Sequence, residues 1–273
     1  MISPAVAALL DASGDRPVLV AVAHPDDEVL GAGTRLARLR RTSIVYVTDG
    51  APFDMRDADR LGFTSREAYA EARALEAAEG LERLGVTPER VRHLGVVDQE
   101  AVRHLPEIAT ALVGLIRELR PAILLTHAYE GGHPDHDATA LAAHLATRTV
   151  RGAGEEPPAI VEFAGYHDPD GSGTMAVLEF LPSHQPVATV RLDPAEQDRK
   201  RAALACHRTQ GEVLRLFPVD RERYRAAPAY DFLAPPHPWR PLYERFVTRV
   251  DGEGWREMAG RACAAFDAAA GGP

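Results

Sequence analysis

The sequence is poor in the residues and runs that mark several protein classes. Only two of its 273 residues are cysteine, Cys206 and Cys263, and their separation fits neither a zinc motif nor a disulfide framework. No apolar run reaches the roughly 20 residues that cross a bilayer. The short apolar stretch at the N-terminus has no preceding basic residue and is interrupted by Asp11, so we expect no secretion signal and a cytoplasmic location.

Basic residues are also in the minority. The chain has 31 Lys and Arg against 40 Asp and Glu, a formal net charge of -9 at pH 7. Because binding to a phosphate backbone needs a basic face, this balance argues against nucleic acid as a partner. We therefore expect a small-molecule ligand.

What the chain does contain is the ordinary composition of a folded protein, with 45% hydrophobic and 26% charged residues. From residue 17 to about residue 150, short β-rich runs alternate with longer helical ones, which predicts an α/β fold with a mostly parallel sheet flanked by helices. The predicted strands are 18–23, 43–48, 91–97 and 122–126, and the predicted helices are 29–41, 65–84, 106–119 and 138–149.

Beyond residue 154 the pattern changes. We predict strands at 160–166, 176–181 and 187–192, a helix at 194–206, and a lid or rim at 217–239. Residues 1–150 are thus predicted to form the catalytic core. Residues 151–273 are predicted to be a C-terminal extension of strands, loops and helix, packed on the core within a single structural domain.

Two similar tetrads stand at predicted strand ends. His24-Pro25-Asp26-Asp27 follows the first strand, and His133-Pro134-Asp135-His136 follows the fourth. In open parallel sheets, ligands bind beyond the carboxyl ends of the strands, so we expect the tetrads to meet there. Clustered carboxylates repel one another, and a fold that gathers them usually binds a cation.

The tetrads contain the groups that metal-assisted hydrolysis needs. His24, Asp27 and His136 are predicted to hold a metal and leave one position for water, whose pKa would then fall towards about 7. Asp26 is predicted to take the proton of that water. His133 would stabilise an oxyanion or protonate a leaving amine, and Asp135 would hydrogen-bond a histidine ring. This combination suits amide hydrolysis.

The residues 23–28 (AHPDDE) and 132–136 (GHPDH) resemble the two signature motifs of the PIG-L/LmbE-like deacetylases. The resemblance covers residues 18–150. It implies a Rossmann-like fold, Zn²⁺ held by His24, Asp27 and His136, and removal of an N-acetyl group from an amino sugar or glycoconjugate. The chain departs from the mycothiol-type deacetylases at Gly131, where they carry a tyrosine, and the nearest tyrosine is Tyr129.

Three further residues are candidates for substrate binding: Asp49 at the end of the second strand, Arg56 in an irregular loop, and Tyr129. Two other functions stay open at this point. Two histidines and a carboxylate also suit Fe²⁺ in an oxygenase-type site, and the chain could be a non-catalytic metal-binding protein. The sequence leaves a homo-oligomer open as well.

Overall fold

The computed structural model describes residues 1–11, 15–245 and 249–270. Within these ranges a seven-stranded sheet forms the centre of the molecule. Its strands are β1 (Val18–Val22), β2 (Thr42–Pro52), β3 (Val91–Asp98), β4 (Ile123–Thr126), β5 (Ala159–Phe163), β8 (Ala188–Arg191) and β9 (Arg221–Ala226). Across the sheet they lie in the order β3-β2-β1-β4-β5-β9-β8. A separate hairpin pairs β6 (Tyr166–His167) with β7 (Ala176–Val177).

Helices cover both faces of the sheet. They are α1 (Pro4–Leu10), α2 (Asp27–Leu36), α3 (Arg56–Arg60), α4 (Arg66–Arg83), α5 (Leu105–Leu119), α6 (Pro134–Gly152), α7 (Pro194–Leu204), α8 (Gly211–Leu214) and α9 (Gly252–Ala270). Short 3₁₀ turns lie at Pro88–Arg90, Ala101–His104, Arg208–Gln210 and Leu242–Arg245.

The continuous apolar run of β1 explains its place in the middle of the sheet. All five of its residues are buried, as a strand covered on both faces requires. Successive side chains point to opposite faces, so Val20 packs in one core layer with residues of α2, α4 and α7. Leu19 packs in the other layer with residues of α5, α6 and α9.

The strands β3, β2, β1, β4 and β5 run parallel to their neighbours, while β9 pairs antiparallel with both β5 and β8. The predicted mostly parallel sheet with flanking helices is confirmed. The prediction of a lid or rim at 217–239 is wrong for part of that stretch, because residues 221–226 form β9 inside the sheet.

The strand β9 was missed because its buried side chains are mostly charged. Lys200 of α7 donates a hydrogen bond to the Leu30 carbonyl (2.7 Å) and lies 3.1 Å from the carboxylate of Glu222. The same carboxylate accepts from the Thr34 backbone N–H (2.9 Å) and the Tyr224 hydroxyl (2.8 Å). An ion pair with its hydrogen bonds satisfied therefore replaces the apolar contact that a central strand normally shows.

A glycine inside α2 lets that helix lie against β5. A Cβ added to Gly31 would be 2.2 Å from the buried ring of Phe163, whereas one added to Gly114 in α5 meets nothing within 4 Å. We expect Gly31→Ala to lower the free energy of unfolding by about 1–3 kcal/mol through overpacking. Gly114→Ala should leave it unchanged or raise it by up to about 1 kcal/mol. Urea unfolding of both variants tests this, and equal stability of the two would contradict it.

Candidate active site

Neighbouring parallel strands bring the two tetrads together. β1 pairs with β4 from Val18↔Ile123 to Val20↔Leu125, so the two strands end at the same edge of the sheet. His24 lies two residues beyond β1, and His133 is the N-cap residue of α6. The first turns of α2 and α6 thus approach each other at the point where ligands bind in open sheets.

Three side chains, with both oxygens of Asp27 taking part, form a compact triangle at this point. His24 Nδ1 is 3.2 Å from Asp27 Oδ2 and 3.3 Å from His136 Nε2, and His136 Nε2 is 3.3 Å from Asp27 Oδ1. Ligands at 2.0–2.2 Å from a tetrahedral zinc lie about 3.3–3.6 Å apart. The donor set therefore fits a metal ion of this size and geometry.

Other groups of three or more ligand-type side chains overlap this triangle, including sets with His127 and with His133. Hydrogen bonds distinguish them. The Ala23 backbone N–H donates to Nε2 of His127 (3.0 Å), and the Asp135 backbone N–H donates to Nδ1 of His133 (3.2 Å). The lone pair of His127 is thus already engaged, and the neutral ring of His133 carries its proton on Nε2. Neither of these two hydrogen bonds involves a side-chain atom of His24, Asp27 or His136.

The far side of the His24 ring faces carboxylates. Its Nε2 lies 3.3 Å from Asp135 Oδ2 and 3.2 Å from Asp98 Oδ1, and Asp135 is itself fixed by the backbone N–H groups of Gln99 (2.6 Å) and Ala101 (3.1 Å). Burial lowers the pKa of His24, but Asp98 and the hydrogen bonds to carboxylates outweigh it, so its pKa is well above the usual value. A carboxylate behind a ligating imidazole fixes the orientation of the ring, which is the role predicted for Asp135.

Asp26 is held in an unusual backbone conformation. Its φ is 130°, a region that non-glycine residues rarely adopt, and the side chain of Arg73 contacts both the Pro25 carbonyl (2.8 Å) and Asp26 Oδ2 (3.0 Å). Burial raises the pKa of Asp26 to about 7, with Arg73 acting in the opposite direction. A carboxylate in this range suits a general base at neutral pH.

Arg73 is therefore expected to position Asp26. For the amide hydrolysis predicted from the sequence, we expect Arg73→Met to lower kcat about tenfold or more, with a smaller change in KM. Arg73→Lys should recover part of kcat. Because the guanidinium lowers the pKa of Asp26, its loss should also move the acidic limb of the kcat/KM profile to higher pH. Steady-state kinetics across pH test this; a uniform loss at every pH with an unmoved limb would show that Arg73 only stabilises the fold.

A cavity of about 750 Å³ opens above the triangle. Its lining includes the metal-site histidines, Asp26 and Arg73, and a second group of residues from the C-terminal part of the chain. That group is Tyr166, Gly173, Met175, Gln210, Val213, Leu214, Leu216, Phe217, Leu242 and Arg245. The ring of Tyr166 contacts that of His136, with centroids 5.2 Å apart.

The structure places the three residues predicted to bind substrate in different surroundings. Arg56 lines the cavity near Asp54. Asp49 is absent from the cavity lining; it lies within β2, not at its end as predicted, and forms an ion pair with Arg66. Tyr129 is placed elsewhere, because its hydroxyl donates to the Ala234 carbonyl (2.9 Å) and its ring stacks on Trp255. The aromatic ring beside the metal site is that of Tyr166.

Sequence reasoning missed several residues of the site. Asp98 ends β3 and His127 directly follows β4, so both obey the strand-end rule that revealed the tetrads. Arg73 and Glu76 have the spacing of a surface pair on α4, yet both are buried. Glu76 accepts hydrogen bonds from Thr209 rather than pairing with Arg73. No local pattern signals these long-range contacts.

In the part of the chain that the structure describes, no helix has both the length and the apolar character needed to span a bilayer.

Two solved structures share the fold. A deacetylase triple mutant of the teicoplanin biosynthetic pathway aligns with a TM-score of 0.60 and 22% identity, over 77% of this chain and 97% of its own. The N,N'-diacetylchitobiose deacetylase of Pyrococcus horikoshii aligns with a TM-score of 0.55 and 18% identity, over 88% of this chain and 90% of its own.

Sequence comparison points to the same group. The 1D-myo-inositol 2-acetamido-2-deoxy-alpha-D-glucopyranoside deacetylase 2 of Catenulispora acidiphila is 32% identical to this chain in the aligned stretch. That stretch covers 52% of this chain and 54% of the relative's length. The corresponding deacetylase of Tsukamurella paurometabola is 29% identical over 71% of this chain and 83% of its own. The family model described as PIG-L: GlcNAc-PI de-N-acetylase matches residues 19–147, which include both tetrads. Over residues 19–147 the chain is therefore similar to the PIG-L family.

Proposed function

We propose that this protein is a zinc-dependent N-deacetylase that hydrolyses the N-acetyl amide of an amino sugar or glycoconjugate. The observation that carries the proposal is the triangle of His24, Asp27 and His136 at the floor of an open cavity, with Asp26 beside it. The relatives named above support the substrate class, since their names describe deacetylases of acetylated sugars.

The residues of the site divide the chemistry between them. A divalent metal held by the triangle would act as a Lewis acid and make water nucleophilic at neutral pH. Asp26 accepts the proton of the attacking water and, after the C–N bond breaks, can pass it to the leaving amine. The positive φ at Asp26 and the contact with Arg73 orient its carboxylate for this task.

His133 is suited to stabilise the oxyanion. Burial is the main cause that lowers its pKa to about 3, so the ring is neutral at pH 7. Because Nδ1 accepts from the Asp135 backbone, the remaining proton on Nε2 is available for donation, and the residue lines the cavity. A preorganised donor at the site of developing charge is among the strongest contributions to acyl transfer.

The other two functions fit the site less well. An Fe²⁺ oxygenase has little use for a base and a neutral donor beside its metal, and both are present here. A non-catalytic metal-binding protein would not need the strained conformation of Asp26. We also propose that catalysis resides in residues 1–150 and that residues 151–273 complete the cavity, since the residues with assigned chemistry precede residue 150.

Metal analysis and acetate release test the proposal together. We expect the purified chain to bind about one zinc ion and to release acetate from N-acetylated amino-sugar glycosides. Removal of the metal, or the His136→Ala substitution, should end turnover. Full activity of His24→Ala or Asp27→Ala without metal would overturn it. Oxygen consumption with a 2-oxo acid and no acetate would favour the oxygenase, and metal binding that only raises the Tm would favour the non-catalytic protein.

A further inference from the structure

The side chain of Tyr166 reaches the metal site from the C-terminal part of the chain. Its ring meets that of His136 edge-on, with centroids 5.2 Å apart, and both residues line the cavity. A Cβ added to Gly132 would be only 1.9 Å from the Tyr166 carbonyl oxygen, so the two backbones are in close contact. This contact fixes Tyr166 beside the tetrad that begins at His133.

The hydroxyl of Tyr166 is not committed to the protein. In the part of the chain that the structure describes it has no hydrogen-bond partner, and its oxygen is not sealed from solvent. A tyrosine that only packs usually bonds its hydroxyl to the protein, as Tyr129 does with the Ala234 carbonyl (2.9 Å). Burial raises the pKa of Tyr166 well above its usual value, and the charges of Asp27 and Asp26 raise it further. An unpartnered donor thus lies within the field of the reacting carboxylates.

Two other donors lie beside the reacting groups, and they differ in what they already bind. The Arg73 guanidinium donates to two backbone carbonyls and to Asp26. His133 has its remaining N–H at Nε2, and its ring centroid lies 5.2 Å from that of His136, the same distance as for Tyr166. Because an oxyanion can accept more than one hydrogen bond, two uncommitted donors that adjoin the same metal-site histidine suit a shared acceptor.

We propose that the Tyr166 hydroxyl is a second oxyanion donor, which hydrogen-bonds to the acetyl oxygen of the substrate alongside His133. The inference rests on the deacetylase function proposed above. As the oxygen of water adds to the carbonyl carbon, the π electrons of the C–O bond move to the acetyl oxygen and the proton of the water goes to Asp26. Tyr166 keeps its own proton, and its hydrogen bond strengthens as the charge develops. The C-terminal part of the chain, proposed above to complete the cavity, thereby also supplies a donor to the chemistry of residues 1–150.

Two variants that each lose only a tyrosine hydroxyl test the proposal, with the methyl glycoside of N-acetylglucosamine as substrate. We expect Tyr166→Phe to lower kcat about 10²-fold, the lower end of the cost of removing one oxyanion donor, with KM changed by less than about threefold. The ring still packs on His136, so metal content and the urea midpoint should match those of the wild type. Tyr129→Phe is the matched control, because its hydroxyl binds the protein outside the cavity, and its kcat should stay within about threefold of the wild type.

A transition-state analogue separates a catalytic role from a structural one. In the methylphosphonamidate of the same amino-sugar glycoside, charged oxygens surround a tetrahedral centre at the position of the acetyl carbon. Tyr166→Phe should therefore weaken inhibition by this compound by about the factor by which kcat/KM falls. The free amine product has no such oxygen, so its inhibition constant should not change.

The outcomes separate this inference from the proposed function. If the zinc-loaded wild type releases no acetate from N-acetylated amino-sugar glycosides, the deacetylase function itself fails. If the wild type is active and Tyr166→Phe stays within about threefold of its kcat, only the inference is overturned. A slower variant that binds the phosphonamidate as tightly as the wild type does also overturns it. So does a loss of turnover that comes with lost metal or with weaker binding of the amine product, because the hydroxyl then supports the shape of the site instead of the oxyanion.

Discussion

Replacing Asp26 with asparagine is expected to lower kcat for acetate release by about 10²–10⁴-fold, the usual contribution of a general base. Asparagine has almost the same shape as aspartate and tolerates positive φ, so the backbone at 130° can persist. The amide cannot accept the proton of the attacking water. Metal content should stay near that of the wild type, because the proposed ligands His24, Asp27 and His136 are unchanged.

Steady-state kinetics and metal analysis of the same Asp26→Asn preparation check this prediction. Asp27→Asn is the matched control, since it changes the adjacent carboxylate in the same way but removes a ligand atom. We expect Asp27→Asn to lose metal affinity as well as activity. If Asp26→Asn retained more than a tenth of the wild-type kcat, the base would have to be another group.

The buried pair between Lys200 and Glu222 should give the largest effect on stability. Both side chains are almost completely buried, and the pair joins α7 to β9. Lys200→Met leaves the Glu222 carboxylate buried without a cation, and removal of one partner of such a pair destabilises a protein by about 3–5 kcal/mol. Urea unfolding at pH 7 measures the change.

A second substitution serves as the control for this pair. In Lys200→Met/Glu222→Gln the buried charge is gone, while the glutamine carbonyl can still accept from the Thr34 backbone N–H and the Tyr224 hydroxyl. The double variant should therefore be more stable than Lys200→Met alone. If the double variant is no more stable than Lys200→Met, the two residues are not coupled in this way, and the ion pair contributes nothing of its own.

The sequence predicted the centre of the molecule well, for a physical reason. A strand buried on both faces must be continuously apolar, as Val18–Val22 is, and a parallel sheet places its strand ends together. His24 and His136 could therefore be placed at one point from local patterns alone. The distances between their donor atoms then required the coordinates.

What could not be predicted depends on contacts between distant segments. β9 reads as a polar stretch because Glu222 and Arg225 are buried through their ion pairs, with Lys200 and Glu162 respectively. Hydrophobic periodicity cannot detect a strand of that kind. The role of Arg73 likewise depends on where its guanidinium ends, 47 positions from Asp26 in the chain.

The cavity residues Tyr166, Val213 and Leu216 come from the hairpin strand β6, the short helix α8 and the loop after α8, whereas His24 and His136 follow the central strands β1 and β4. Loop segments tolerate insertion and exchange far better than the strands of a sheet. New selectivity could therefore evolve, or be engineered, by changing Val213 and Leu216 while the reacting centre stays untouched. A scaffold of this kind keeps its reacting residues while its substrate selectivity changes.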